Sequence, residues 1–169
     1  MAPEVTNVLI AGLGGQGVLK ASDILADAAF RSGRDVKKAE VHGMSQRGGS
    51  VTSDVRFGRN VLSPMVPAGE ADYVLVLDET QAAAAGRSLR PGGKLLSAAV
   101  VDSASLPTSK ALNVAGLGML SVFLDIPEEI WLAAICGAFP KKLHEANAAA
   151  FRLGREAGGR DRSPVIGDR

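Results

Sequence analysis

The chain has one cysteine, two histidines, one tryptophan and one tyrosine in 169 residues, and aromatic side chains make up only 4% of it. Each scarcity excludes something. Cys136 alone cannot form an internal disulfide, a Cys-x-x-Cys zinc site or a self-contained iron–sulfur cluster, which takes about four thiolates. His42 has no second histidine or acid at ligand spacing and His144 lies far along the chain, so no metal site and no metal-ligating residue is expected. Charge of either sign is also lacking in excess. With 19 basic and 18 acidic residues the formal net charge is +1, there is no basic stripe, and nucleic acid is not expected as a partner. Apolar stretches are broken by Gly, Ser, Asp or Pro well short of bilayer-spanning length, and the first strand begins almost at once without a charged-then-apolar leader. The expectation is a cytoplasmic chain with no membrane partner.

Small residues are abundant. Twenty glycines and many alanines, with 46% hydrophobic residues overall, imply one domain whose elements pack closely rather than around bulky wedges. Cys136 lies in the apolar stretch Trp131 to Cys136, where a buried structural thiol is expected.

The most informative segment is Ala-Gly-Leu-Gly-Gly-Gln-Gly, residues 11–17. It follows the apolar run from Asn7 to Ile10 and precedes Val18, Leu19, Ala21, Ile24, Leu25, Ala28 and Ala29 at helical spacing, up to a stop at Gly33. Gly12, Gly14 and Gly17 satisfy G-x-G-x-x-G, whose glycines permit a tight turn, close approach to a ligand and close helix-to-strand packing. A second strand is expected over Asp35 to Val41. Glu40, near its end, stands roughly where an acid takes a ribose hydroxyl in a dinucleotide site. Residues 51–57 alternate as a third strand, with Phe57 to Val61 turning into a short returning strand, so a hairpin interrupts the winding. Tyr73 to Leu77 reads as a central parallel strand. A helix is expected over Gln81 to Leu89, a turn at Pro91 to Gly93 and a strand over Lys94 to Val101. Then come a buried helix from Asn113 to Leu124, a helix starting at Pro127-Glu128-Glu129, and a last helix from Leu143 to Leu153. The pattern gives an α/β fold: a three-layer, mostly parallel Rossmann-like sheet with a β-hairpin insertion and C-terminal helices. Residues 1–154 form the domain and 155–169, rich in Gly, Arg and Asp, a flexible tail.

His42-Gly43-Met44-Ser45-Gln46-Arg47-Gly48-Gly49-Ser50 leaves the C-terminal end of the second strand, where open α/β sheets bind their ligands. Arg47 reads equally as a fork for a phosphate or carboxylate and as a surface ion pair. No nucleophile constellation accompanies Ser45 or Ser50, Asp78-Glu79 reads as a solvated strand end or helix cap, and no catalytic residue is assigned.

Val8 to Val18, with the glycine turn, and Glu40 to Val51, with His-Gly-Met-x-Gln-Arg-Gly-Gly, resemble the gamma-type domain of the 2-oxoacid:ferredoxin oxidoreductase family, and within it the small beta subunit of the indolepyruvate type. Val55 to Gly58, Leu62 to Pro67, Gly69 to Asp72 and Leu112 to Gly118 extend the resemblance over most of the chain. It implies a small subunit of an enzyme that oxidatively decarboxylates a 2-oxoacid to its acyl-coenzyme A and reduces ferredoxin. Thiamine diphosphate, magnesium and iron–sulfur clusters would belong to a large partner subunit, with none bound by this chain alone and coenzyme A passing near it. Gly12, Gly14, Gly15, Gln16 and Gly17, together with Gly43, Ser45, Gln46, Arg47, Gly48 and Gly49, would form the cofactor-binding or interface edge. The chain would associate as a heteromer, or as a homo-oligomer when isolated. A stand-alone dinucleotide-binding Rossmann-like protein and a non-enzymatic interaction domain remain the alternatives.

Overall fold

The computed structural model describes residues 4–42 and 48–160. Five strands, β1 (Val5–Leu13), β2 (Asp35–His42), β3 (Ser50–Gly58), β4 (Ala71–Val76) and β5 (Leu89–Ser97), form one sheet in the order β2-β3-β1-β4-β5. β1, β4 and β5 are parallel, and β3 runs antiparallel to both β1 and β2. Four strands therefore point one way and one points back. The hairpin is real but lies one strand earlier than the sequence pattern places it. β2 and β3 pair from Asp35 with Gly58 to His42 with Val51, and residues 59–70 contain no returning strand. β3 already has a partner on each edge, which leaves no ladder for residues after Gly58 to join.

Alternation along the strands sends side chains to two unequal layers. Val8, Ile10, Val55, Phe57 and Leu75 face a core built with helices α1 (Val18–Arg31), α3 (Leu112–Ser121), α4 (Glu128–Ala138) and α5 (His144–Arg160). Leu9, Ala11, Val74 and Val76 face the opposite side, covered by Ala82 and Ala85 of the five-residue α2 (Ala82–Gly86) and by Val66. The helix expected over Gln81 to Leu89 is thus cut short, preceded by a 3-10 turn at Glu79–Gln81. Pro91 to Gly93 do not separate helix from strand. They form an irregularity inside β5, between the pairings of Leu89 with Ala71 and Lys94 with Tyr73, and the strand ends at Ser97 where a 3-10 turn begins.

Helix α3 is buried from Asn113 to Ser121, because an all-round apolar helix has no face to offer water. Its neighbour α5 reaches it through glycines. A Cβ on Gly154 would run into the carbonyl of Ala115, and one on Gly118 into the carbonyl of Phe151. This contact carries α5 to Arg160, beyond the Leu153 end that its apolar pattern suggests, with Gly154 and Gly158 buried against α3. Residues 161–169 of the expected tail lie outside the described residues. In α4, Trp131, Ala134 and Ile135 face the core, with Trp131 5.6 Å from Phe151 between ring centroids. Cys136 comes about 100° further round the helix and is exposed. The buried thiol expected from the apolar stretch is corrected: the helix buries one stripe of it, not the whole.

The α3–α5 contact predicts opposite effects for two nearby glycines. Gly154→Ala forces a methyl against backbone and is expected to cost about 2 kcal/mol or more, lowering the melting temperature by roughly 4–8 °C. Gly159→Ala meets nothing within 4 Å and gains helix propensity, up to about 1 kcal/mol. Thermal and denaturant unfolding of the two variants checks this, and similar stabilities for both would count against it.

Candidate functional site

The glycine turn connects β1 to α1 at the C-terminal end of the parallel strands. Gly12 and Leu13 are still in the strand, opposite Val51 and Ser50. The Gly14 N–H then donates to the Gly49 carbonyl at 2.9 Å, and a Cβ on Gly14 would lie 3.5 Å from the Gly48 nitrogen. The two glycine segments singled out in the sequence therefore meet, one backbone against the other. Gly43, Ser45, Gln46 and Arg47 of the expected site lie outside the described residues.

Gln16 holds the turn from within. Its Nε2 donates to Asp78 at 2.8 Å and its Oε1 accepts the Leu13 N–H at 2.7 Å. The side chain thereby ties the turn to the end of β4, where the Leu77 N–H donates to Ala11. Asp78 is a cap, as the sequence suggests, since it accepts the Thr80 N–H at 3.0 Å. Its link to Gln16 was not legible, because 62 residues separate the two. Gly17 sits at the helix N-cap with φ 82°, a left-handed conformation that favours glycine. A Cβ there would collide with Asn113, whose Nδ2 donates to the Gly17 carbonyl at 3.2 Å. Asn113 is buried at the start of α3. As the one strongly polar residue in an apolar helix it was the signal that sequence reading passed over.

Two clefts share Gly15, around which a Cβ would meet nothing within 4 Å. One, of about 360 Å³, runs from Leu13, Gly14 and Gly17 to Leu19, Lys20 and Val51 at the N-terminus of α1. The other, about 440 Å³, is bounded by Gln16, Leu77, Ser109, Lys110 and Leu112. A helix N-terminus favours anions. Lys20, however, donates to the Ala138 carbonyl at 3.2 Å and lies 5.4 Å from the Phe139 ring centroid, whereas the Lys110 ammonium has no ion pair among the described residues. The arrangement can receive an anionic group or a partner's backbone. Among the described residues no group of three or more His, Cys, Asp or Glu could hold a metal ion.

Glu40 does not join this site. Antiparallel β3 occupies the slot beside β1 that the second strand takes in a dinucleotide fold. Glu40 pairs with Ser53, itself opposite Ile10, and its carboxylate binds Lys38 at 2.6 Å, where Asp23 of α1 also bonds. The ribose role expected for Glu40 is corrected on that geometry.

The glycine edge lies within a stretch of the chain that a known family shares. The model of the pyruvate ferredoxin/flavodoxin oxidoreductase family matches residues 7–110, and the chain belongs to that family. It is 48% identical over 87 residues to indolepyruvate oxidoreductase subunit IorB of Thermococcus kodakarensis, covering 52% of this chain and 43% of that one. The match thus spans under half the length of that relative. It is 27% identical over 185 residues to 2-oxoglutarate synthase subunit KorC of Archaeoglobus fulgidus, covering 97% and 94%. In fold it is similar to the gamma subunit of a keto/oxoacid ferredoxin oxidoreductase from Geobacter sulfurreducens, with TM-score 0.78 at 22% identity, covering 92% of this chain and 99% of the other.

The Gln16 link makes a prediction for acid stability. Hydrogen bonds from Thr80, and then from Gln16, hold the Asp78 carboxyl below its ordinary range. A folded value below the unfolded one stabilises the fold at neutral pH, and this stabilisation fades as pH falls through the folded value, below about 4. In Gln16→Leu the Asp78 value moves back toward the unfolded one. The variant is therefore expected to be less stable at pH 7 and to lose stability less steeply from pH 5 to 3. Denaturant unfolding at these pH values measures it; parallel curves for variant and wild type would refute the link.

Proposed function

We propose that this chain is the small, non-catalytic subunit of a 2-oxoacid:ferredoxin oxidoreductase acting on indolepyruvate or a related aryl 2-oxoacid. The observation that carries the reading is that the family match over residues 7–110 contains both glycine segments, which meet at Gly14 and Gly49 on the sheet edge. In this reading the large partner chain holds thiamine diphosphate, magnesium and iron–sulfur clusters, which supply decarboxylation and electron transfer to ferredoxin. One cysteine, exposed on α4, does not fit a cluster on this chain. What this chain supplies is shape and charge. The glycine edge lets a partner backbone or the phosphates of coenzyme A come close, and Lys110 and Arg47 offer cations to them. The name of the IorB relative favours indolepyruvate, while the KorC relative keeps other 2-oxoacids in the comparison.

The test is turnover with and without the cognate large chain, using viologen reduction with indolepyruvate, pyruvate and 2-oxoglutarate. The isolated chain is expected to show none and to contain no iron, and the reconstituted complex to be fastest with indolepyruvate. Turnover by the isolated chain would overturn the subunit role. Tight binding of a nicotinamide or flavin nucleotide to the isolated chain would favour the dinucleotide alternative.

A further inference from the structure

Asn113 reaches the glycine turn from the helical layer, and both ends of its buried amide are engaged. Oδ1 accepts the Val114 N–H at 2.9 Å in the first turn of α3, and Nδ2 donates to the Gly17 carbonyl at 3.2 Å. That carbonyl already accepts the Ala21 N–H at 2.9 Å, the first bond of α1. Closing the helix therefore does not need Asn113. What the second bond adds is a direction for the Gly17–Val18 peptide plane. In a trans peptide the carbonyl and the following N–H point opposite ways, so a carbonyl held toward α3 and into α1 leaves the Val18 N–H pointing away from both.

That direction matters in the cleft of about 360 Å³, which Gly15, Gly17, Val18, Leu19 and Lys20 line. Lys20 is the one cation among its described lining residues, and its ammonium is turned to the Ala138 carbonyl and the Phe139 ring. No capping side chain bonds to the first turn of α1. The backbone N–H groups of that turn are thus the donors left for whatever enters. Gly17 and Asn113 are also fitted to each other, since a Cβ on Gly17 would overlap Nδ2.

We propose that Asn113 is a positioning residue for the phosphate-bearing substrate of this edge: it does not touch that substrate, and it sets the Gly17–Val18 peptide so that the N–H groups of α1 meet a phosphate. This rests on the subunit reading above, in which the phosphates of coenzyme A come close to the glycine edge. The experiment uses the complex reconstituted at saturating large chain. It measures the Kd of coenzyme A by calorimetry and the KM values for coenzyme A and for the 2-oxoacid turned over fastest. Affinity for the large chain and the melting temperature of the free chain are measured alongside. Asn113→Asp keeps the size of the side chain and the acceptor for Val114 but sets a carboxylate oxygen against the Gly17 carbonyl. It is expected to raise the Kd and KM of coenzyme A at least fivefold, with the 2-oxoacid KM and the large-chain affinity within twofold of wild type. Asn113→Ala removes the donor without adding charge and is expected to shift the same two constants, by less. Gly158→Ala presses a methyl on the Met119 carbonyl further along α3; it is expected to melt lower and to keep the wild-type coenzyme A constants. Wild-type coenzyme A constants in both Asn113 variants would overturn the proposal. An equal rise in Gly158→Ala would overturn it too, by reducing Asn113 to a residue of general stability. Weaker binding of the large chain with unchanged coenzyme A constants would assign the turn to the protein interface instead. A wild-type chain that binds no large chain would overturn the subunit reading and this role with it.

Discussion

Everything at the C-terminal edge of the sheet depends on β3 lying between β1 and β2. Its register with β1, from Val5 opposite Gly58 to Leu13 opposite Ser50, brings the end of the long loop up to the glycine turn, and the Gly14 to Gly49 hydrogen bond closes the contact. A register slip of one residue would turn Val51, Val55 and Phe57 from the helical core toward the thin layer. Burial of these side chains therefore fixes the glycine edge without any contact made at the edge itself. The same placement removes the second strand from the side of β1, which takes Glu40 away from the turn and with it the main argument for a dinucleotide.

The helical layer braces the glycine turn through Asn113. α3 is held against α5 by glycines that let backbones touch, and its first turn delivers Asn113 to the Gly17 carbonyl. On the strand side Gln16 does the corresponding work by reaching Asp78. The turn is thus braced by one amide from its own sequence and one from a helix 96 residues away. Bracing by side chains that occupy the inner side of the turn leaves Gly15 as its open point, shared by both clefts.

What was legible in the sequence follows from what local chemistry can encode. Continuous apolar runs marked β1 and β4, helical spacing with a glycine stop marked α1, and period-two alternation marked β3, because burial on one or two faces imposes those patterns directly. The direction of β3 was not encoded in its alternation, which is the same for parallel and antiparallel neighbours, so the hairpin was expected one strand too late. Cys136 was misplaced because an apolar run does not say which of its members the helix turns outward. The glycine segments were both found, but their contact depends on register, and Asn113 and Asp78 reach the turn only through the tertiary fold.

β3 also joins the glycine edge to the segment that follows Gly58. Its Ser50 end lies at the glycine edge, and Asp54 and Arg56 hold the Val66 N–H and the Ser63 carbonyl. Six residues separate Ser50 from Arg56, about 20 Å at the rise of a strand. Both segments are thus held by one strand that is paired on each side along its whole length, which fixes their separation far more firmly than a loop could. The register of β3 therefore sets the distance between the glycine edge and the residues after Gly58.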